Sequence, residues 1–358
     1  LIPPKSCGLL ITSRKMIKLP GLFRKDLYVL KPDEALELLL KVWSSTSGSA
    51  EPPRADPAWS EIARLCGFLP LALRAAASLL ANTPDLSPAS YAEELKDECT
   101  RLERIGEEGV ELSVDASFNL SFKRLDAKTQ QTFLDASIFP TDFDSRAEEQ
   151  ICQDKGHKRL SELVRWSLLD YNPHGPDYGR YKLHDLARLF ALARRSEEAS
   201  SVIHERHSEY YIELLYSINT LYLKGGGSIQ AGLALFDREW ANIKAGWSWA
   251  ESQISNGMNQ EHAFRLCKDY ANAGAHVLEL RLHPAEKISW LEAGLKAARS
   301  LRDRLAEGVY LGNLGLANLD LGDARTAIKY YEQALTVSSD IGDKRNEGVH
   351  LGNQGVAY

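Results

Sequence analysis

Residues 181–190, YKLHDLARLF, place a histidine and an aspartate where a strand-like run gives way to a helical one. Leu186, Leu189 and Phe190 recur at the spacing that puts side chains on one helix face, so a helix starts at about His184. The first N–H groups of that helix have no partner within it, and with the helix dipole they favour an anion beside His184 and Asp185. The same two residues also suit an ordinary polar helix start. Arg14 closes the compact aliphatic run CGLLITSR, which also holds Thr12 and reads as a strand buried in a parallel sheet. Ligands of open α/β sheets bind at that carboxyl edge, where Arg14 places a planar, permanently charged guanidinium. Pro70, in CGFLPLAL, sets a rigid apolar ring at the first turn of a helix. Read singly, Arg14 also suits a surface arginine that caps a strand and Pro70 a plain helix start, and none of these residues forms a catalytic set.

The elements that would position them follow from periodicity and breakers. Pro32 and Asp33 open a helix with apolar residues at Ala35, Leu38, Leu39 and Val42. Residues 44–57 are rich in Pro, Gly and Ser and read as a loop. Pro70 divides the next apolar stretch into one helix ending near Cys66 and another starting at Pro70, and a further helix spans about 90–105. Helical patterns at 112–122, 127–137 and 157–168 lead to SLLDYNPHGPDYGRYKLHD, two short apolar runs around a turn, which reads as a β-hairpin. Three helices, a hairpin and another helix resemble a winged-helix domain. Residues 196–283 are helical apart from KGGGS at 224–228, which lacks the Lys-Ser/Thr ending of a phosphate loop and reads as a flexible linker.

The end of the chain repeats itself. EGVYLGNLGLAN at Glu307 recurs as EGVHLGNQGVAY at Glu347, a period of 40 residues that indicates a solenoid of stacked helix pairs. Gly322-Asp323 and Gly342-Asp343 mark its turns. Residue 1 is Leu rather than Met, and Tyr358 falls within a repeat, so the chain reads as a piece of something longer.

Composition narrows the function classes. The 358 residues are 44% hydrophobic and 26% charged, which allows two or three domains, and the net charge of -6 favours neither nucleic acid nor an anionic membrane. Lys158, Arg159 and Arg165 decorate the helix that would read DNA in a winged helix, but no dense basic cluster accompanies them. Cys7, Cys66, Cys99, Cys152 and Cys267 lie far apart, forming neither a metal-ligand set nor a disulfide framework, as in a reducing cytoplasm. His204 and His207 are three apart on a helix with no evident third ligand, so no metal is expected. Neither a signal peptide nor an eighteen-residue apolar run occurs, because Arg74 interrupts the best candidate.

Taken in order, LLITSR, GFLPLAL, LSFKRLDAKTQQTFLDASIFPTDF and KLHDLARLF resemble the successive landmarks of the NB-ARC module of STAND-type signalling ATPases. Residues 204–250 are similar to the helical segment that follows this module in bacterial members with tetratricopeptide repeats. The resemblance implies a mainly α architecture of five parts. These are the edge of a nucleotide-binding α/β domain at 1–30, a helical domain at 31–108, a winged-helix domain at 109–196, a helical linker at 197–268 and an α-solenoid of tetratricopeptide repeats at 269–358. It further implies that Arg14, with Thr12 in the same motif, contacts the terminal phosphate of ATP. Pro70 would pack on the adenine, with Phe68 replacing a usual glycine and narrowing that pocket. His184 would contact the β-phosphate of ADP and lock the module shut, with Asp185 beside it and Leu183 in place of a usual methionine.

The family's P-loop and Walker B strand, which hold the phosphates and magnesium, have no match here, so the chain alone should hydrolyse nothing. Leu311, Leu314, Gly315, Ala327, Tyr331 and Ala334 match the large and small sites of the repeat, Ser339 replaces its closing proline, and the long period resembles that of kinesin light chains. Asn313 and Asn353 would either face a concave partner groove or serve helix packing. The expected function is a nucleotide-dependent switch whose repeats sense a protein or peptide and whose active form is a homo-oligomer. The alternatives are a winged-helix regulator that binds DNA and a nucleotide-free scaffold of repeats.

Overall fold

The computed structural model describes residues 28–49, 56–104, 110–174, 179–256 and 260–358. The chain is mainly α, with seventeen helices and one three-stranded sheet among the described residues. The strand-like run that ends at Arg14 and contains Thr12 lies outside them.

Five helices form the first unit: α1 (Pro32–Ser47), α2 (Pro57–Leu65), α3 (Pro70–Asn82), α4 (Pro88–Arg104) and α5 (Val110–Arg124). Proline opens four of them, at the position where its missing N–H leaves no bond unmade. Glu34 reaches back to the Lys31 N–H at 3.0 Å, and α1 stops at Gly48, whose φ of 70° ends the helix without strain. Thus α1 runs through Ser47, into the stretch expected to be a loop. Helix α3 packs against α1 and α5 and is buried along most of its length, with Ala72, Leu73, Ala76 and Leu79 fully shielded from solvent.

The second unit comprises α6 (Ala127–Ala136), β1 (Phe143–Asp144), α7 (Ser145–Ile151), α8 (Lys158–Arg165), β2 (Asp170–Asn172), β3 (Arg180–Lys182) and α9 (Asp185–Leu192). The strands are antiparallel in the order β1-β3-β2, with Tyr181 of β3 opposite both Phe143 and Tyr171. The hairpin was legible in the sequence, whereas β1 and α7 were not. Two paired residues are too short a run to show an alternation, yet they place the hairpin between a third strand and solvent. Phe118 and Phe122 of α5 meet Phe190 of α9 at 5.7 and 6.0 Å between ring centroids, so the two units share one core.

Helices α10 (Glu197–Lys224) and α11 (Gly227–Asn256) form a long pair. The KGGGS segment is therefore no flexible linker. Only Gly225 and Gly226 lie outside the helices, both at positive φ, and they make a tight turn. After α12 (Gln260–Ala273) and α13 (Ala275–Arg281) come α14 (Pro284–Ser300), α15 (Arg304–Asp320), α16 (Ala324–Asp340) and α17 (Lys344–Ala357). Helices α14, α15 and α16 are each 17 residues long and are followed by turns of three, so two helices with their turns make the 40-residue repeat. Asp303, Asp323 and Asp343 cap the next helix through bonds of 3.0 to 3.1 Å. Arg302 holds, at φ 57°, the left-handed position that Gly322 and Gly342 occupy in the next two turns of the solenoid.

Candidate functional site

His184 is the N-cap of α9, and its Nδ1 accepts the Leu186 N–H at 3.2 Å. An accepting Nδ1 places the proton of the neutral ring on Nε2. The histidine is exposed, so that N–H is free to donate outward, beside the remaining unpaired amides of the helix start and the exposed carboxylate of Asp185. Leu183 is buried and anchors the turn from below. His283 caps α14 in the same way, accepting from Ala285 at 3.3 Å with nearly the same backbone angles. Capping alone therefore accounts for the ring's pose, and any ligand contact rests on the Nε2 side.

Pro70 is exposed at the first turn of α3, and the backbone before it is unusual. Gly67 and Phe68 both sit in the left-handed region, at φ 60° and 56°. Glycine takes that conformation freely, whereas a phenylalanine is strained there. The Phe68 carbonyl accepts the Leu30 N–H at 3.1 Å, which ties the chain entering α1 to this turn. One turn along α3, Arg74 bonds Asp170 of β2 at 2.7 Å, and Asp170 pairs with Lys182 of β3, two residues before His184. A short series of contacts thus connects the element that bears Pro70 with the element that bears His184. Two cavities stand out among the described residues, and neither is lined by Pro70 or His184. Arg14 and Thr12 lie outside the described residues.

Sequence reasoning missed a buried ionic cluster behind β3. Arg180, 5% exposed, donates to Asp142 at 2.7 Å and to Glu239 of α11 at 2.5 Å. Tyr211 and Asn242 also donate to Glu239, at 3.3 and 3.0 Å, and Asn242 adds a bond to the Asp142 carbonyl. The cluster fastens the strand leading to His184 onto the long pair α10–α11. Its links between elements span 28 to 100 residues of sequence, so nothing in local spacing signals them.

Asn313 is half-buried on α15 and lines a narrow cavity with Glu279, Lys287, Trp290 and Leu291. Lys287 is 7% exposed and pairs with Glu279, while the indole N–H of Trp290 has no partner. Asn353 is half-buried at the corresponding place on α17. Basic side chains on α8 are partly engaged. Arg159 pairs with Asp154 at 3.4 Å, and the end of α8 is bonded to α3 through Asn82 to the Arg165 carbonyl and Ser78 to Ser167. Cys66, Cys99, Cys152 and Cys267 are buried and form no disulfide among the described residues, where no helix is long and apolar enough to cross a membrane.

No protein-family model matches the chain. It is 32% identical over 200 residues to Regulatory protein AfsR of Streptomyces griseus, covering 52% of this chain and 19% of that protein. With the AfsR of Streptomyces coelicolor it shares 31% identity over 215 residues, 56% of this chain and 20% of that one. A longer match, 28% identical over 276 residues, covers 75% of this chain and 30% of a Mycobacterium tuberculosis protein named as an HTH-type transcriptional regulator. The chain spans about a fifth to a third of the length of these relatives. Among solved structures, a Pyrococcus horikoshii Signal Transduction ATPase with Numerous Domains, which has a tetratricopeptide repeat sensor, is similar with a TM-score of 0.36. The match has 14% identity over 92% of this chain and 57% of that one.

Proposed function

We propose that this chain is the regulatory part of an ADP/ATP-dependent signalling switch, in which a winged helix at 109–196 holds ADP in the off state and the solenoid receives a protein partner. The observation that carries the reading is the exposed Nε2 side of His184, which the helix cap leaves unengaged. Its Nδ1 is spent on the helix cap and its Nε2–H faces outward at an exposed helix start. In this reading His184 donates to the β-phosphate of ADP, Asp185 orders the turn, Pro70 packs on the adenine, and Arg14 with Thr12 contacts the phosphates. Magnesium and the catalytic groups are supplied by the part of the complete protein that carries the P-loop, and residues 1–358 alone hydrolyse no ATP.

One hydrogen bond to a charged group contributes about 1.5 to 3 kcal/mol. Moving a two-state equilibrium from mostly off to mostly on takes about 5.5 kcal/mol, so His184 shares the task with the other contacts. The Arg180–Glu239 cluster offers the route by which the solenoid side biases the nucleotide side. A partner that favours a different seating of α11 pulls on β3, and ADP and partner then stabilise opposite states. Release from ADP lets the complete protein assemble into a homo-oligomer.

The test is the nucleotide content of the purified complete protein after denaturation, compared between wild type and His184→Asn. Asparagine keeps a helix cap and lacks the Nε2 donor. Loss of ADP in His184→Asn, but not in the matched cap variant His283→Asn, supports the reading, and equal ADP in all three refutes it.

A second reading, direct DNA binding through α8, is favoured by the name of the mycobacterial relative. It requires an affinity that falls steeply with salt. The attachment of the end of α8 to α3 leaves less of that helix free to enter a groove.

A further inference from the structure

Glu205 and Glu209 stand one turn apart on α10, and His262 of α12 meets them across the helix interface. One carboxylate oxygen from each glutamate and a ring nitrogen of His262 all lie within 4.8 Å of one another. His262 Nε2 is 2.7 Å from Glu205 Oε1, yet Nε2 is shielded from solvent and has no hydrogen-bond partner, so the oxygen stands off the axis of the ring N–H. A histidine–glutamate ion pair would close along that axis. Donor atoms that converge without bonding one another are instead what a shared cation requires. Two like charges at this helical spacing also repel, and no cationic side chain among the described residues bonds Glu209.

We propose that Glu205, Glu209 and His262 form a divalent metal site of the zinc class. One imidazole and two carboxylates supply three protein ligands and leave a fourth position for water. Imidazole among the ligands favours zinc and its transition-metal neighbours over magnesium, which prefers an all-oxygen shell. The ion would fasten α10, which follows the second unit, to α12, where the solenoid begins. It would stiffen the joint between them whether or not the chain binds nucleotide. Sequence spacing drew attention to His204 and His207, but these are committed elsewhere. His204 bonds the Ser200 carbonyl at 2.6 Å, and His207 is buried against Tyr211.

The 358-residue chain, stripped with EDTA, is titrated with ZnCl2 and separately with MgCl2 by calorimetry, with melting followed in parallel. We expect stoichiometric zinc binding that raises the melting temperature, and much weaker magnesium binding. Glu209 is exposed and makes no hydrogen bond or ion pair among the described residues, so Glu209→Gln should leave the metal-free melting temperature unchanged while weakening zinc at least about tenfold. His262→Gln should weaken zinc likewise. With Co2+ as the probe, wild type gains a visible ligand-field band that Glu209→Gln lacks. Absence of zinc heat in the wild type, equal affinity for magnesium, or undiminished zinc binding in both variants overturns the site.

Discussion

A histidine that caps a helix through one nitrogen has a single bond left to make, and the surroundings of the other nitrogen decide what that bond does. His184 and His283 share the cap but not the setting, since only His184 follows a strand clamped to a buried ionic cluster. Asparagine is among the best N-caps, so His184→Asn should unfold within about 0.5 kcal/mol of wild type in urea. A larger loss would mean that the ring itself packs the fold. The helix-start positions of His184 and Pro70 were legible in the sequence, because local residues mark both starts. Arg180 and Glu239 were not, because their partnership depends on a contact 59 residues long and on burial that no local pattern announces. Phe68 was legible as an irregularity, and its left-handed backbone is the physical form that irregularity takes.

At the scale of elements, helix periodicity and proline positions carried most of the fold. The 40-residue period was visible directly, and equal helix and turn lengths explain it. What escaped was short: β1 spans two residues and α7 seven. In the solenoid, a Cβ on Gly315 would come within 2.5 Å of the Tyr331 ring, whereas Gly355, its counterpart on α17, has open space around it. Gly315→Ala should therefore destabilise by about 1 to 3 kcal/mol. In the 358-residue chain, where no helix is packed on it, Gly355→Ala should be neutral or stabilising by up to about 1 kcal/mol, since glycine inside a helix is unfavourable. Denaturant melts followed by circular dichroism distinguish the two, and equal effects would contradict the packing.

A second element-scale prediction concerns Glu98, which joins α4 to α5. Burial alone would raise its carboxyl, but bonds from Arg101, Lys123 and Asn119 outweigh that and bring it down to about 2. A carboxyl lowered in the native state adds stability that is present above its ordinary value and is lost as pH falls through about 2. Acid titration of stability should therefore be steeper for wild type than for Glu98→Gln between about pH 4.5 and 2. Coincident curves would show that the cluster contributes nothing.

Across the whole molecule, the Arg180 cluster is the joint between the sheet and the long helices. Removing Glu239 leaves the buried Arg180 with Asp142 alone and takes the carboxylate acceptor from Tyr211 and Asn242, so Glu239→Ala should cost about 2 to 4 kcal/mol. Hydrogen exchange should rise together in β3 and α11, because the cluster is what couples them. Faster exchange in α11 with β3 unchanged would rule out this joint as the path of coupling. The central claim is tested most directly by the nucleotide released when the purified complete protein is denatured. The account predicts stoichiometric ADP in wild type and in His283→Asn, with clear depletion in His184→Asn. A wild-type protein free of ADP, or a His184→Asn protein that retains it in full, contradicts the account.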